Sequence, residues 1–109
     1  MTYERELEFF KTCTDRMCKT FAAKRNDYGA STADTYKRYG AVSLLVRMRD
    51  KLNRLDSLLV NNSNVHVLDE SVEDTLFDLA NYAIIAILEI AKHELEEKDE
   101  LNCEGYRMD

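Results

Sequence analysis

The clearest pattern in the chain is helical and covers residues 69–98, a stretch without glycine or proline. Apolar residues recur there at steps of three and four, which predicts a core-facing stripe along one helix. The stripe consists of Val72, Leu76, Leu79, Ala80, Ala83, Ile84, Ile87, Ile90 and Ala91. Ile85, Ala86 and Leu88 widen it almost to the whole circumference. A helix that is apolar on nearly every side must be covered on nearly every side.

Two further helices are predicted upstream. Apolar residues three or four apart predict a first helix from Thr2 to about Arg25. Residues 24–32 (KRNDYGAST) are rich in turn-forming residues and predict a loop. A second helix is predicted over residues 33–60. Gly40 lies inside it and indicates a kink, a close approach of another backbone or a boundary between two helices, because glycine costs a helix about 1 kcal/mol relative to alanine.

These elements predict an all-α bundle of three to four helices in one domain, residues 1–98, followed by a flexible tail, residues 99–109. Residues 61–64 (NNSN) form a connector, and residues 65–68 suit a short extended segment. A chain of 109 residues buries a modest core. Because the last predicted helix is so broadly apolar, we expect homo-oligomerisation to complete the bundle.

Composition and charge narrow the range of partners. The net charge of −6 argues against binding of duplex nucleic acid, which needs a basic surface, but leaves room for a small anionic ligand on a local basic patch. Residues 1–8 lack the apolar centre of a signal peptide, and the longest apolar run, residues 79–88, is too short to span a bilayer. The three cysteines match no zinc spacing. We therefore expect a cytoplasmic protein with reduced thiols and no membrane partner.

Two charged rows are the candidate chemistry. An acidic line on the long predicted helix consists of Glu70, Asp74 and Asp78, at i, i+4 and i+8. Like charges at this spacing repel one another and weaken a helix, so positive charge should lie opposite. A basic row on the preceding predicted helix consists of Arg47, Lys51 and Arg54. Antiparallel packing of the two helices would bring this row near the acidic line.

The two rows admit two interpretations. They are either ion pairs between helices, which stabilise weakly when exposed, or the frame of a phosphate site. Closely spaced carboxylates suit Mg²⁺, and arginine and lysine suit phosphate oxygens. Upstream, the KRNDYG segment (residues 24–29) offers Lys24 for a phosphate and Tyr28 for stacking on a base. Taken alone, that segment favours an ordinary turn with a packed tyrosine.

Three segments together resemble a small phage and bacterial family, the nucleotide modification-associated domain, first catalogued as a domain of unknown function. They are KRNDYG (24–29), RMRDKLNRL (47–55) and ESVEDTLFDLANYA (70–83). The resemblance covers about residues 24–90 and implies a role in nucleotide metabolism. More distantly, the last segment is similar to the all-α NTP pyrophosphatases of the MazG and dimeric dUTPase type. Those enzymes hold Mg²⁺ with paired acidic motifs and cleave a nucleoside triphosphate to its monophosphate and pyrophosphate.

The similarity to the pyrophosphatases implies that Asp74 is the final aspartate of the acidic motif, with Glu70 or Glu73 as its glutamate. On the earlier helix this chain offers only Asp50, with cations where a second glutamate is expected. This departure leaves fewer metal ligands. Either Asp78 compensates for the missing glutamate, or the site binds a nucleotide without efficient hydrolysis.

The first hypothesis is therefore a Mg²⁺-dependent pyrophosphatase-like protein with Asp74 and Glu70 as catalytic residues. Its metal ligands would be Asp50, Glu70, Asp74 and Asp78. Its nucleotide contacts would be Lys24, Asp27, Tyr28, Arg47, Lys51, Arg54, Asn81 and Tyr82. The alternative is a non-catalytic binder of a nucleotide or cyclic-nucleotide signal, such as a phage-encoded sponge acting against host defence in the host cytoplasm. A third hypothesis is a structural helical oligomer whose charges serve only assembly.

Overall fold

The computed structural model describes the backbone of residues 1–60 and 70–103 and the side chains of residues 1–25, 32–60 and 71–98. Its helices are α1 (Tyr3–Ala23), α2 (Arg25–Tyr39), α3 (Val42–Leu55) and α4 (Glu70–Cys103), with a π-helical turn, Asp56–Val60, after α3. No strand occurs in these ranges, so the predicted all-α class is confirmed. The extended segment predicted at residues 65–68 lies outside the described residues.

The first helix begins at Tyr3, one residue after the predicted start, and Thr2 caps it. Thr2 Oγ1 accepts a hydrogen bond from the Arg5 backbone N–H at 3.2 Å. Glu4 and Glu6 occupy the first turn, where the positive end of the helix dipole favours acids. None of the residues of α1 is buried, so the apolar face predicted to lie in the core is only partly covered by this chain.

The prediction of a loop at residues 24–32 is wrong, because the backbone from Arg25 onward is helical. Helix α2 begins at Arg25, and only Lys24 interrupts the helical backbone between α1 and α2. The Lys24 backbone N–H donates to the Thr20 carbonyl at 3.0 Å and closes α1. Turn-forming residues such as Asn26 and Gly29 cost a helix at most about 1 kcal/mol each, so neighbouring helical structure overrides their preference.

Gly40 separates α2 from α3. Of the three predicted roles for this glycine, namely a kink, a close backbone approach and a helix boundary, the structure shows the helix boundary. Its φ of 73° and ψ of −159° lie in a region that residues with a Cβ rarely adopt. Its N–H donates to the Tyr36 carbonyl at 2.6 Å, and its carbonyl accepts from the Ser43 N–H at 3.1 Å. A Cβ at Gly40 would meet nothing within 4 Å, so the requirement for glycine is one of backbone conformation.

The core lies where α3 packs on α4, the most extensive helix pair in the described part of the chain. The buried apolar side chains are Leu44 and Leu55 from α3 and Val72 and Ile85 from α4. Helix α4 continues to Cys103, beyond the end predicted at residue 98. None of the described helices carries an apolar stretch long enough to cross a lipid bilayer.

The chain is elongated, with extents of 61 × 34 × 22 Å and a radius of gyration of 18.0 Å. A compact domain of this length has a radius of gyration of about 13 Å. The difference reflects the length of α4, whose 34 residues span about 51 Å at a rise of about 1.5 Å per residue. Its uncovered face carries apolar side chains that are 42–67 % exposed, namely Leu76, Ile84, Ile87 and Ile90.

Candidate functional site

The basic row of α3 lies on α4 with its members one turn apart. Its contacts are Arg54 Nε to Thr75 Oγ1 at 3.2 Å, Lys51 Nζ to Asp78 Oδ2 at 3.3 Å, and the Arg47 guanidinium carbon to the Tyr82 ring centroid at 5.9 Å. Along the contact, the residue numbers increase on α3 from Arg47 to Arg54 while those of their partners on α4 decrease from Tyr82 to Thr75. The two helices are therefore antiparallel, and the row and α4 are in register along their contact.

The acids of α4 are divided between two neighbouring helices. Asp78 pairs with Lys51 of α3, whereas Asp74 pairs with Arg16 of α1. Arg16 Nη1 lies 2.6 Å from Glu73 Oε1, and Arg16 Nη2 lies 2.9 Å from Asp74 Oδ1. One guanidinium therefore pairs with two consecutive carboxylates. Of the predicted acidic line, only Asp78 meets the basic row within the described residues, and the side chain of Glu70 lies outside them.

The ion pairs contribute little to folding because their side chains remain partly in water. The Arg16, Glu73 and Asp74 side chains are 40–55 % exposed. Exposed pairs stabilise by about 0–1 kcal/mol, and cation–π contacts at exposed sites by about 0.5–1 kcal/mol. Arg16 makes such a contact, since its guanidinium carbon lies 4.0 Å from the Phe77 ring centroid. The carboxylates thus have partners but keep access to solvent.

Two cations of the row have no acid of their own. Within the described ranges, neither Arg47 nor Arg54 forms an ion pair. Arg54 gives one hydrogen bond, to Thr75 Oγ1, which itself donates to the Ser71 carbonyl at 2.6 Å. A guanidinium has five N–H donors, and most of those of Arg54 have no partner among the described residues.

Among the described side chains, the predicted metal ligands do not lie together. In residues 1–25, 32–60 and 71–98, no group of three or more His, Cys, Asp or Glu side chains lies close enough to hold a metal ion. Asp50 is exposed on α3, while Asp74 and Asp78 face cations. A Mg²⁺ site would need Glu70 and the release of at least one of these acids. It therefore stays a prediction.

The upstream candidates lie at the start of α2. Lys24 is exposed at the turn between α1 and α2. Asp27 and Tyr28 belong to the backbone of α2, but their side chains lie outside the described ones. The predicted contacts of Lys24 with phosphate and of Tyr28 with a base stay predictions.

Asn81 is the predicted site residue with the most distinctive surroundings. It is 4 % exposed, and its Nδ2 has no hydrogen-bond partner among the described residues. It lines a cavity of about 240 Å³ between α1 and α4, together with apolar residues that include Met17 and Phe21. The sequence did not indicate that Asn81 would face α1, because its apolar neighbours extend around most of α4.

Sequence reasoning also missed Arg16 and Thr75. Arg16 has partners 57 and 58 positions away, and no local pattern on α1 predicts them. Thr75 lies between Asp74 and Asp78 on α4, and a threonine at such a position gives no sign in the sequence of a contact with α3. Thr75 precedes Asp78 by three residues, and Arg54 follows Lys51 by three. In an antiparallel pair that joins Lys51 to Asp78, this equal spacing would have predicted the contact between Arg54 and Thr75.

The chain is thus all-α in its described part, with a basic row on α3 that contacts the acidic helix α4. Comparison with known families shows to which family it belongs. The chain belongs to the nucleotide modification associated domain 1 family, whose model matches residues 24–90. This match confirms the resemblance to this family, whereas the similarity to the NTP pyrophosphatases stays a prediction. The matched range contains α2, α3 and the first part of α4, whereas Arg16 lies outside it. No curated protein and no solved structure matches the chain.

We predict that Arg16→Gln lowers the free energy of unfolding by at most about 3 kcal/mol, because it removes two half-exposed ion pairs worth about 0–1 kcal/mol each and a cation–π contact worth about 0.5–1 kcal/mol. Urea denaturation at low and high salt measures the effect, which should shrink as salt screens the charges. Lys19→Gln, on the exposed surface of the same helix, is the control and should have no effect. A larger loss would contradict this weak-pair interpretation.

Proposed function

We propose that this protein binds nucleoside phosphates and holds the phosphate groups along the α3–α4 contact. The observation that carries the proposal is the pair of arginines, Arg47 and Arg54, which have no carboxylate partner in the described part of the chain. Arginine binds phosphate through two parallel hydrogen bonds, which gives both affinity and orientation. The family to which the chain belongs is itself named for nucleotide modification.

The neighbours of the two arginines support an anion site. Lys51 lies between them, fixed by Asp78 at 3.3 Å, and adds positive charge without leaving the row. The protein carries a net charge of −6, so this row is a local exception on an acidic molecule. Such a patch suits a small anion better than an extended polyanion. A binder of this kind would sequester a nucleotide or a cyclic-nucleotide signal, with Lys24, Asp27 and Tyr28 as further contacts.

We expect Arg54→Gln and Arg47→Gln each to weaken nucleoside triphosphate binding by about 10- to 100-fold, since each removes charge-assisted hydrogen bonds worth about 1.5–3 kcal/mol. Isothermal titration calorimetry against a panel of ribo- and deoxyribonucleotides measures the affinities. Arg49→Gln removes the same charge from an exposed position of the same helix and is the matched control. An equal loss of affinity in Arg49→Gln would show that net charge alone, and not the row, attracts the ligand.

Hydrolysis is the second candidate function. The observation that favours it is that Asp74 and Asp78 lie one turn apart on α4 with carboxylates that are 55 % and 32 % exposed. A phosphate chain on the basic row would pass beside Asp78. Mg²⁺ bound there with Asp50 and Glu70 would supply charge neutralisation for the phosphates and an activated water. Asp74 and Glu70 are the catalytic residues of this proposal, and the reaction would release pyrophosphate.

For the hydrolytic proposal, we predict pyrophosphate release only with Mg²⁺ and at least a 10-fold lower turnover in Asp74→Asn, since loss of even an outer-shell partner of a metal ligand costs about 10- to 100-fold. A coupled pyrophosphate assay measures the turnover. Glu94→Gln, an exposed acid further along α4, is the control. Nucleotide binding without any pyrophosphate in the wild-type protein would leave the chain as a binder.

We also propose that a second copy of this chain covers the uncovered face of α4. This face is long, apolar and continuous, with Ile87 67 % exposed at its centre. A contiguous apolar surface of this kind is typical of an interface rather than of a solvent-facing helix.

We predict that the wild-type protein has at least twice the monomer mass of 12.7 kDa in solution, and that Ile87→Lys reduces it to the monomer. The lysine would place a charge in the centre of the apolar interface, where its desolvation is unfavourable. Size-exclusion chromatography with light scattering measures the mass. Asp56→Lys, at an exposed polar position, should leave the assembly unchanged.

A further inference from the structure

We infer that the cleft between α1 and α4 is a binding pocket for a planar heterocycle of nucleobase size, oriented by the amide of Asn81. The pocket lies on the α1 side of α4, whereas the basic row lies on the α3 side. The inference rests on the proposed function only in taking the heterocycle to be the base of a nucleoside. Its ligand needs no phosphate, so it is tested independently of the basic row.

The first part of the argument is the unpaired amide. Asn81 is buried and lines the cavity of about 240 Å³, yet its Nδ2 donates to no described residue. Buried polar groups in folded proteins are almost always hydrogen-bonded, since leaving one unpaired costs free energy. Nδ2 itself has almost no exposed surface, so the inference includes a rotation of the Asn81 amide that turns this donor toward an acceptor atom of a ligand in the cavity. A carbonyl or ring nitrogen of a base is such an acceptor.

The second part is the shape and chemistry of the walls. The cavity is lined by Thr14, Met17, Cys18, Phe21, Asn81, Ile84 and Leu88. The Thr14 hydroxyl already donates to the Lys11 carbonyl at 2.9 Å, which leaves the Asn81 amide as the directional polar group. Apolar walls with a few placed polar groups are typical of sites for small organic ligands. A flat ring would gain both the apolar contact and the hydrogen bond.

The third part is a charged cavity that adjoins the first. It has a volume of about 330 Å³ and shares Cys18, Phe21 and Leu88 with the apolar cavity. Arg25, Glu89 and Lys92 also line it, and Lys92 Nζ lies 3.1 Å from Glu89 Oε1. The cleft therefore has an apolar end with one donor and an end with charged groups. A nucleoside has the same polarity, with its base at one end and its hydroxylated sugar at the other.

Other occupants satisfy this cleft less well. An alkyl chain, or an isoleucine of a second copy, would fill the apolar part but leave Asn81 Nδ2 unpaired. The exposed thiol of Cys18 lines both cavities and reports on occupancy directly, because a bound ligand would shield it from alkylation. Cys13 is half-buried and lines neither cavity, so it serves as the internal reference.

The test measures the rate of N-ethylmaleimide labelling of Cys18 by mass spectrometry in full-length protein carrying Cys103→Ser. Adenosine, guanosine, cytidine, uridine and thymidine are added in turn. We expect at least one nucleoside to slow labelling of Cys18 about fivefold or more relative to Cys13, and to raise the melting temperature. Asn81→Leu should fold at least as stably as the wild-type protein, since it removes an unpaired buried amide, but should lose both ligand effects.

Two results would overturn the inference: no nucleoside protects Cys18 when the protein concentration is held constant, or Asn81→Leu keeps the nucleoside protection. Arg54→Gln separates the two proposals, because it should leave nucleoside protection intact. If a nucleoside protects Cys18 but Arg54→Gln leaves the affinity for nucleotides unchanged, the proposed phosphate site is overturned and the base pocket is supported.

Discussion

The antiparallel register of α3 on α4 is the constraint on which the rest of the molecule depends. Gly40 ends α2 with a backbone conformation that only glycine adopts freely, and α3 then runs back along α4. The apolar residues Leu44 and Ile85 are buried in the described core, and the charged row of α3 lies along the same pair of helices. Because one register sets both, a shift of α3 by one residue would disrupt the apolar core and the charged contacts together.

The division of the acids between α1 and α3 explains how α4 tolerates them. Asp74 and Asp78 would repel each other at a spacing of four, but Arg16 and Lys51 approach from different sides and neutralise one each. These pairs are weak because they are partly exposed, so in the proposed function a metal ion or a phosphate would replace them at small cost. The same geometry therefore serves folding in the free protein and leaves the groups available to a ligand.

The sequence predicted those parts of the fold that follow from local periodicity. Helices α1 and α4 and the alignment of Arg47, Lys51 and Arg54 on one face all follow from steps of three and four. The helical backbone across residues 25–32 was missed because turn preferences are small energies that neighbouring structure overrides. The pairing of Arg16 was missed because its partners are distant in the chain. The orientation of Asn81 was missed because α4 is apolar on most sides.

The proposed base pocket and the proposed assembly meet at Ile84. This residue lines the cavity beside Asn81 and is also 52 % exposed on the uncovered face of α4. A second copy seated on that face would cover the outer side of Ile84 and so close the cavity further from water. Closure would strengthen the hydrogen bond from the amide, since electrostatic contacts gain strength as water is excluded. Ligand binding and assembly would then be linked, and by thermodynamic reciprocity each would favour the other.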